Sequence, residues 1–227
     1  MLKKFSLAMI FGLAATAMTA FATPTCSNNV SGNGATYFGG GYSCEIGDLL
    51  FSNFTYTASG SVLIPDSEIT VDAVTGPSIG LSFHAPWTAA AGMSSDGTID
   101  FTVTVLGGGD LLEDFGLAQT SGVSGDGSAS VAENGCGPAP CLATGGSIYV
   151  LTFQDSGERS AQGETTFTPS SSVAVEKDIS VNGNDGFATI SVVQDTFSQV
   201  APEPMSMGMM GGGLALLGLV RLRRKKA

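Results

Sequence analysis

Between residues 98 and 106 the chain alternates, with Ile99, Phe101, Val103 and Val105 on one phase and Thr98, Asp100, Thr102 and Thr104 on the other. Successive side chains of an extended strand point to opposite faces, so this segment predicts a half-buried β-strand with one wall in a core and one in water. Runs rich in β-branched and aromatic residues predict further strands over 49–56, 68–74, 79–83, 128–131, 147–153, 164–167, 172–181 and 187–193. Helical periodicity is scarce. Asp96-Gly97, Asp126-Gly127, Asn182-Gly183 and Asp185-Gly186 supply residues that tolerate positive φ, which predicts hairpin joints at those places. Leu111-Leu112-Glu113-Asp114 is compatible with a helical turn, and residues 115–127 are ambiguous. Nine or more such strands have to pair their apolar phases. The expectation is an all-β, two-sheet β-sandwich, jelly-roll-like, with Phe51, Phe83, Phe101, Phe153, Phe167 and Ile190 in its core.

The pattern changes at both ends. Lys3 and Lys4, the apolar run from Phe5 to Ala17 and the small-x-small sequence Ala20-Phe21-Ala22 together predict a secretory signal peptide over 1–22, with a mature chain beginning near Thr23. At the other end, Pro202-Glu203-Pro204 precedes an apolar run from Met205 to Val220 and a basic cluster of Arg221, Arg223, Arg224, Lys225 and Lys226. That run is 16 residues long. As a helix it spans about 24 Å against a hydrocarbon core of about 30 Å. Long basic stems at the interface make up part of the deficit. The basic cluster holds its end on the cytoplasmic side, leaving everything between the two ends outside. Gly208, Gly211, Gly212, Gly213 and Gly218 make the span a weakly held one. A polar motif, a marginal span and a charged stop are also the logic of a signal that a membrane enzyme reads and removes.

At these residues the chain resembles the PEP-CTERM sorting signal, in its Pro-Glu-Pro motif, its Gly-rich apolar segment 213–219 and its closing arginines. The resemblance covers about the last 26 residues. It implies a single-span sorting helix, brief residence in the inner membrane through 205–220, and processing by an exosortase. It also implies delivery to the outer surface or exopolysaccharide matrix of a Gram-negative bacterium. The domains are then a signal over 1–22, an ectodomain over 23–198 and a sorting tail over 199–227, whose prolines make a stiff spacer. The ectodomain is itself similar to exported bacterial proteins that carry this tail, in phrases such as Cys44-Glu45-Ile46-Gly47-Asp48 and Val175-Glu176-Lys177-Asp178-Ile179. That likeness implies a shared fold and no activity.

Charge narrows the partners. Between residues 23 and 200 only Arg159 and Lys177 are basic, while 19 residues are acidic, a net of 2 minus 19, or −17. Nucleic-acid binding draws its affinity from Lys and Arg neutralising phosphates, so nucleic acid is excluded as a partner. Cys26, Cys44, Cys136 and Cys141 stand in a chain expected to be exported, where disulfides persist. Three pairings exist. Sequence proximity favours Cys26 with Cys44 and Cys136 with Cys141, because short loops close at lower entropic cost. The spacing is not Cys-x-x-Cys and the sole histidine is distant in sequence, so structural staples are expected rather than a redox or zinc centre.

Catalytic patterns are thin. His84 is the sole histidine, and neither a Gly-x-Ser-x-Gly elbow nor a His-Glu-x-x-His helix occurs. Carboxylate pairs such as Glu113 with Asp114, or Asp155 with Glu158, arise in any acidic chain. The reading is therefore a protein without catalytic activity, cofactor or metal. The loop 178–186, with Asn182, Asn184, Asp185 and Gly186, partly echoes a calcium loop but has the wrong spacing, and an ordinary turn is the preferred reading. Two functions remain. One is a surface or exopolysaccharide-matrix protein. The other is a carbohydrate-binding module for extracellular polysaccharide, with Trp87, Tyr37, Tyr42 or Tyr56 as a stacking platform.

Overall fold

The computed structural model describes residues 23–28, 30–107, 109–137 and 159–200, the last span without the side chains of 159–161. The expected signal peptide, the strand over 147–153 with Phe153, Cys141, Asp155, Glu158 and the whole sorting tail with Pro202, Glu203, Pro204 and the basic cluster lie outside these residues. Among the described residues no helix is long and apolar enough to cross a membrane.

Among the described residues, a short helix α1 (Gly34–Phe38) precedes ten strands. They are β1 (Ser43–Ile46), β2 (Leu49–Gly60), β3 (Thr70–Val74), β4 (Ile79–Ala89), β5 (Ser94–Val105), β6 (Leu111–Ser124), β7 (Ser128–Cys136), β8 (Arg159–Ser170), β9 (Ser172–Asn182) and β10 (Phe187–Val200). Two five-stranded antiparallel sheets form, one ordered β1-β2-β5-β9-β7 and the other β3-β4-β10-β6-β8. From β5 onward each strand crosses to the opposite sheet. The two inner faces meet as a sandwich, because each sheet has one apolar phase to bury.

The clean alternation over 98–106 is β5, whose inward phase Ile99, Phe101 and Val103 is buried. Phe101 is the hub of an aromatic cluster, 5.9–6.4 Å between ring centroids from Phe51, Phe54, Phe83 and Phe197. Phe51, Phe83 and Ile190 are buried as expected, and Phe167 packs half-buried against Phe115. Contact pairs of this kind add about 0.5–1.5 kcal/mol beyond the area they bury.

Several sequence expectations are corrected. Residues 111–124 form one long central strand rather than a helical turn and an ambiguous stretch. The inward phase of β6 includes Gln119 and Ser121, its outward phase includes Gly116 and Ala118, and the buried Asp114 breaks the alternation at a register shift, so the usual polarity contrast is blurred. Asp96-Gly97 lies inside β5 and makes no joint. Glycine is needed there for close packing: a Cβ on Gly97 would lie 3.0 Å from the Tyr56 ring and 3.1 Å from the Trp87 indole nitrogen. β4 runs past Phe83 to Ala89 despite Pro86. Its ladder with β3 ends at His84, and a register shift interrupts its ladder with β10 between the partners of His84 and Trp87. Pro86 therefore sits where no regular ladder bond is required of it. The joints at Asp126-Gly127 and at Asn182-Gly183 with Asp185-Gly186 do connect β6 to β7 and β9 to β10.

The N-terminal segment seals one side. Cys26 is bonded to Cys44 in β1, and Cys26 N–H donates to the Glu45 carbonyl. Asn33 then covers the free edge of β3, its amide donating to the Val71 carbonyl at 2.7 Å and accepting from the Val71 N–H at 2.6 Å. An exposed strand edge is a template for unwanted pairing, and one side chain here occupies it as another backbone would. Cys136 is also disulfide-bonded, while Cys141 lies outside the described residues.

Candidate functional site

On the outer face of the second sheet, β10, β6 and β8 frame a shallow groove of about 320 Å³, with Ser78 just before β4 at its side. Its floor is made of small outward residues, Gly116, Ala118 and Gly163. A Cβ on Gly116 would stand 2.8 Å from Thr196 Oγ1, so the glycine keeps the floor low. Around it stand Asp114, Gln162, Glu164, Gln194, Thr196 and Ser198. The strand period places them together: outward positions alternate with buried Leu117 on β6 and with buried Asp195 and Phe197 on β10. Among the described residues, the wall thus offers carboxylate acceptors, amides that both donate and accept, and hydroxyls, and no cation. Such a surface suits a neutral polyhydroxylated ligand and repels phosphate.

None of the aromatic candidates lines this groove. Trp87 is fully buried, with 0% exposure, so its ring is part of the core and the expectation of a stacking platform there is corrected. The cause is phase: Ala85, Trp87 and Ala89 continue the inward positions of β4. Tyr37 is likewise buried, 4.6 Å from Tyr42 and 5.1 Å from Phe54 between ring centroids. Tyr42 is half-buried against Tyr37, and burial, with Tyr37 beside it, raises its phenol above the usual range. Tyr56 is half-buried and its hydroxyl donates to the Ile64 carbonyl at 3.0 Å; burial raises its phenol as well.

His84 has polar neighbours, Ser82 Oγ at 3.0 Å and Asp72 Oδ2 at 3.6 Å, yet both meet its Nε2 atom. A triad needs the serine and the carboxylate on different ring nitrogens, so this arrangement does not assemble one. Of the neighbouring carboxylates Glu113 and Asp114, only Asp114 lines the groove. In the β9–β10 turn, Asn184 adopts φ 42°, its side chain donates to the Asp126 carbonyl at 2.8 Å, and its backbone N–H donates to Asn182 Oδ1 at 3.0 Å. Asp178 belongs to β9, not to that turn, so the residues of the calcium reading are divided between a strand and a hydrogen-bonded turn.

Sequence reasoning missed the groove because its residues are scattered from Ser78 to Ser198 and each looks like an ordinary solvated position. It also missed three ionisable groups in the interior, Glu133, Lys177 and Asp195. A signal for these existed, since each stands on the inward phase of its strand.

No protein-family model matches the chain, nor does any curated protein sequence. Among solved structures it is similar to TmCBM61 in complex with β-1,4-galactotriose, at 10% identity and a TM-score of 0.33, over 65% of this chain and 88% of that one. It is similar to the CBM22-1 xylan-binding domain from Paenibacillus barcinonensis Xyn10C at 12% identity and a TM-score of 0.28, over 64% and 87%. It is also similar to the enzymatically active domain of the bacteriophage CBA120 tailspike protein 4, at 15% identity and a TM-score of 0.33, over 66% of this chain and 20% of that one. At such scores no residue of this chain acquires a role by correspondence.

Proposed function

We propose that the chain is an exported, non-catalytic surface or matrix protein whose β-sandwich binds extracellular polysaccharide in the groove across β10, β6 and β8. The observation that carries this reading is the groove itself, an open floor of small residues ringed by Asp114, Gln162, Glu164, Gln194, Thr196 and Ser198. Sugar hydroxyls both donate and accept, and carboxylates with amides answer both needs. With no ring among the described lining residues, hydrogen bonds carry the affinity, and several shallow contacts along a polymer supply it better than one deep contact with a monosaccharide. Export and sorting form the other half of the proposal: the signal over 1–22 directs translocation, and the tail over 199–227 is held in the inner membrane until an exosortase processes it near Pro202-Glu203-Pro204.

The test has two arms. Affinity electrophoresis of the full chain, in gels containing exopolysaccharide from the producing bacterium, should retard it. Paired replacement Glu164→Ala with Gln194→Ala should weaken that interaction by about tenfold or more, since each lost bond to a charged or polar partner is worth roughly 1–3 kcal/mol. Undiminished retardation of a variant that melts like the wild type would place the ligand elsewhere. In the second arm, removal of residues 202–227 should abolish transient membrane retention and change localisation. Unchanged localisation would reject the sorting role.

A further inference from the structure

Three charged residue types occupy positions that the strand pattern reserves for apolar ones. The inward phase of β9 reads Val173, Val175, Lys177, Ile179 and Val181; that of β7 includes Ala129, Val131 and Glu133; that of β10 includes Val193, Asp195 and Phe197. Lys177, Glu133 and Asp195 all have 0% exposure. Lys177 and Glu133 are direct partners in the β7–β9 ladder of one sheet. Asp195 comes from the other sheet, between Leu81 of β4 and Leu117 of β6. Lys177 Nζ donates to Glu133 Oε2 at 2.9 Å and also to Asp195 Oδ1. Among the described residues, Glu133 Oε1 and Asp195 Oδ2 have no hydrogen-bond partner.

As an ion-pair device this is a poor arrangement. Buried pairs seldom repay their desolvation, and each unpaired buried oxygen adds a desolvation cost of its own. An amine held against a carboxyl in a dry interior, with a second carboxyl touching the amine, has a different use. We propose that Lys177 and Asp195 condense into an intramolecular amide that joins β9 to β10 across the two sheets, with Glu133 as the catalytic proton carrier.

The proton inventory permits it. Burial, reinforced by the charge of Asp195, raises Glu133 well above the usual carboxylate range, which favours its protonated form. Burial pulls the Lys177 ammonium down, but Asp195 and Glu133 outweigh that and hold it above its ordinary value. The proposed reaction starts from one ammonium, one carboxylic acid and one carboxylate, a set with zero net charge. Passing one proton from Lys177 to Asp195 leaves the net charge at zero and gives a neutral amine beside a neutral acid. The Nζ lone pair then attacks Asp195 Cγ, and the new C–N bond forms as the carbonyl pair moves onto oxygen. Glu133 takes a proton from Nζ on one oxygen and delivers its own from the other to the departing hydroxyl; the C–O bond breaks and water leaves. Amine plus acid gives amide plus one water, and Glu133 ends protonated as it began. No oxidant, metal or co-reactant takes part. Held contact supplies effective molarities of about 10⁵–10⁸ M for such intramolecular steps, and expulsion of water from the core opposes the reverse reaction.

The spacing of basic residues makes the test direct. After Lys4, the trypsin sites are Arg159, Lys177 and then Arg221. Purified full chain, reduced, alkylated and digested with trypsin, should lack the fragment 160–177. In its place should appear a fragment that starts at residue 160, runs uncut through Lys177 and weighs one water less than its sequence, with tandem fragmentation placing the link between Lys177 and Asp195. A succinimide at Asp185-Gly186 would also lose water, but it would leave Lys177 cleavable. Release of 160–177 at its full sequence mass from the wild type overturns the proposal, whatever the variants do. Asp195→Ala should restore cleavage after Lys177. Glu133→Gln, which keeps both reacting groups, should lower the crosslinked fraction at a fixed early time by about tenfold or more, the least expected of a lost acid–base catalyst. Full crosslinking of Glu133→Gln at the wild-type rate would remove Glu133 from the mechanism.

Discussion

Trp87→Ala separates a core tryptophan from a sugar-stacking one. The ring is completely buried, opposite Ile190 in the β4–β10 ladder and against Gly97. Truncating a buried tryptophan to alanine costs about 3–5 kcal/mol, from lost transfer energy and the cavity left behind. The glycine at position 97 limits collapse into that space, since it brings no side chain of its own to fill it. A domain of this size has about 5–15 kcal/mol in all, so the variant should fold but lose much of its margin. With a urea slope near the middle of the usual range of about 1–3 kcal/mol per molar, the midpoint should fall by about 1.5–2.5 M. The melting temperature should fall by about 6–20 °C. Far-UV circular dichroism across a urea series is the assay, because the variant has no tryptophan to report by fluorescence. In the native buffer, polysaccharide retardation should persist. A variant with an unchanged midpoint and abolished retardation would refute the reasoning, for the ring would then be serving a ligand rather than the core.

Other consequences follow from the same geometry. Replacing Cys26 and Cys44 together with serine opens a link of sequence separation 18 and should cost about 3 kcal/mol, read from the urea midpoint under non-reducing conditions. Asn33→Ala leaves both the N–H and the carbonyl of Val71 without their side-chain partner and should cost about 1–3 kcal/mol in the same assay. Asp178 is raised above its ordinary 3.8 by burial and by Asp96, so the folded state binds that proton more tightly than the unfolded chain. Stability should therefore decline as pH rises from the unfolded value through the folded one; Asp178→Asn should flatten this part of a melting-temperature profile taken between about pH 3 and about pH 6. An identical profile for the variant would show that the group does not contribute.

Much of the fold was legible because a sheet with one wet face writes its orientation into the sequence. Phe101 and its neighbours on β5, or Val173 to Val181 on β9, needed little more than the period of two. Strand β6 was not, since Gln119 and Ser121 face inward while Ala118 faces out, and Pro86 hid the second half of β4 by resembling a stop. The groove was illegible for a different reason. Its chemistry is that of any polar surface, and only the alignment of β10, β6 and β8 turns Gln162, Glu164, Gln194 and Thr196 into one wall. Lys177 lies between these cases. Its position on β9 marked it as interior, but a lysine in an acidic chain invites the reading of a solvent-facing counter-charge until Glu133 and Asp195 are seen beside it.

The last described strand, β10, lies in the middle of its sheet, laddered to β4 on one flank and to β6 on the other. Whatever follows Val200 thus hangs from an interior stave rather than from a rim. Tension applied from that side would meet two rows of backbone bonds loaded lengthwise, which must give way together instead of unzipping one at a time. Pulling this end out of the sandwich is therefore harder than peeling off a rim strand would be.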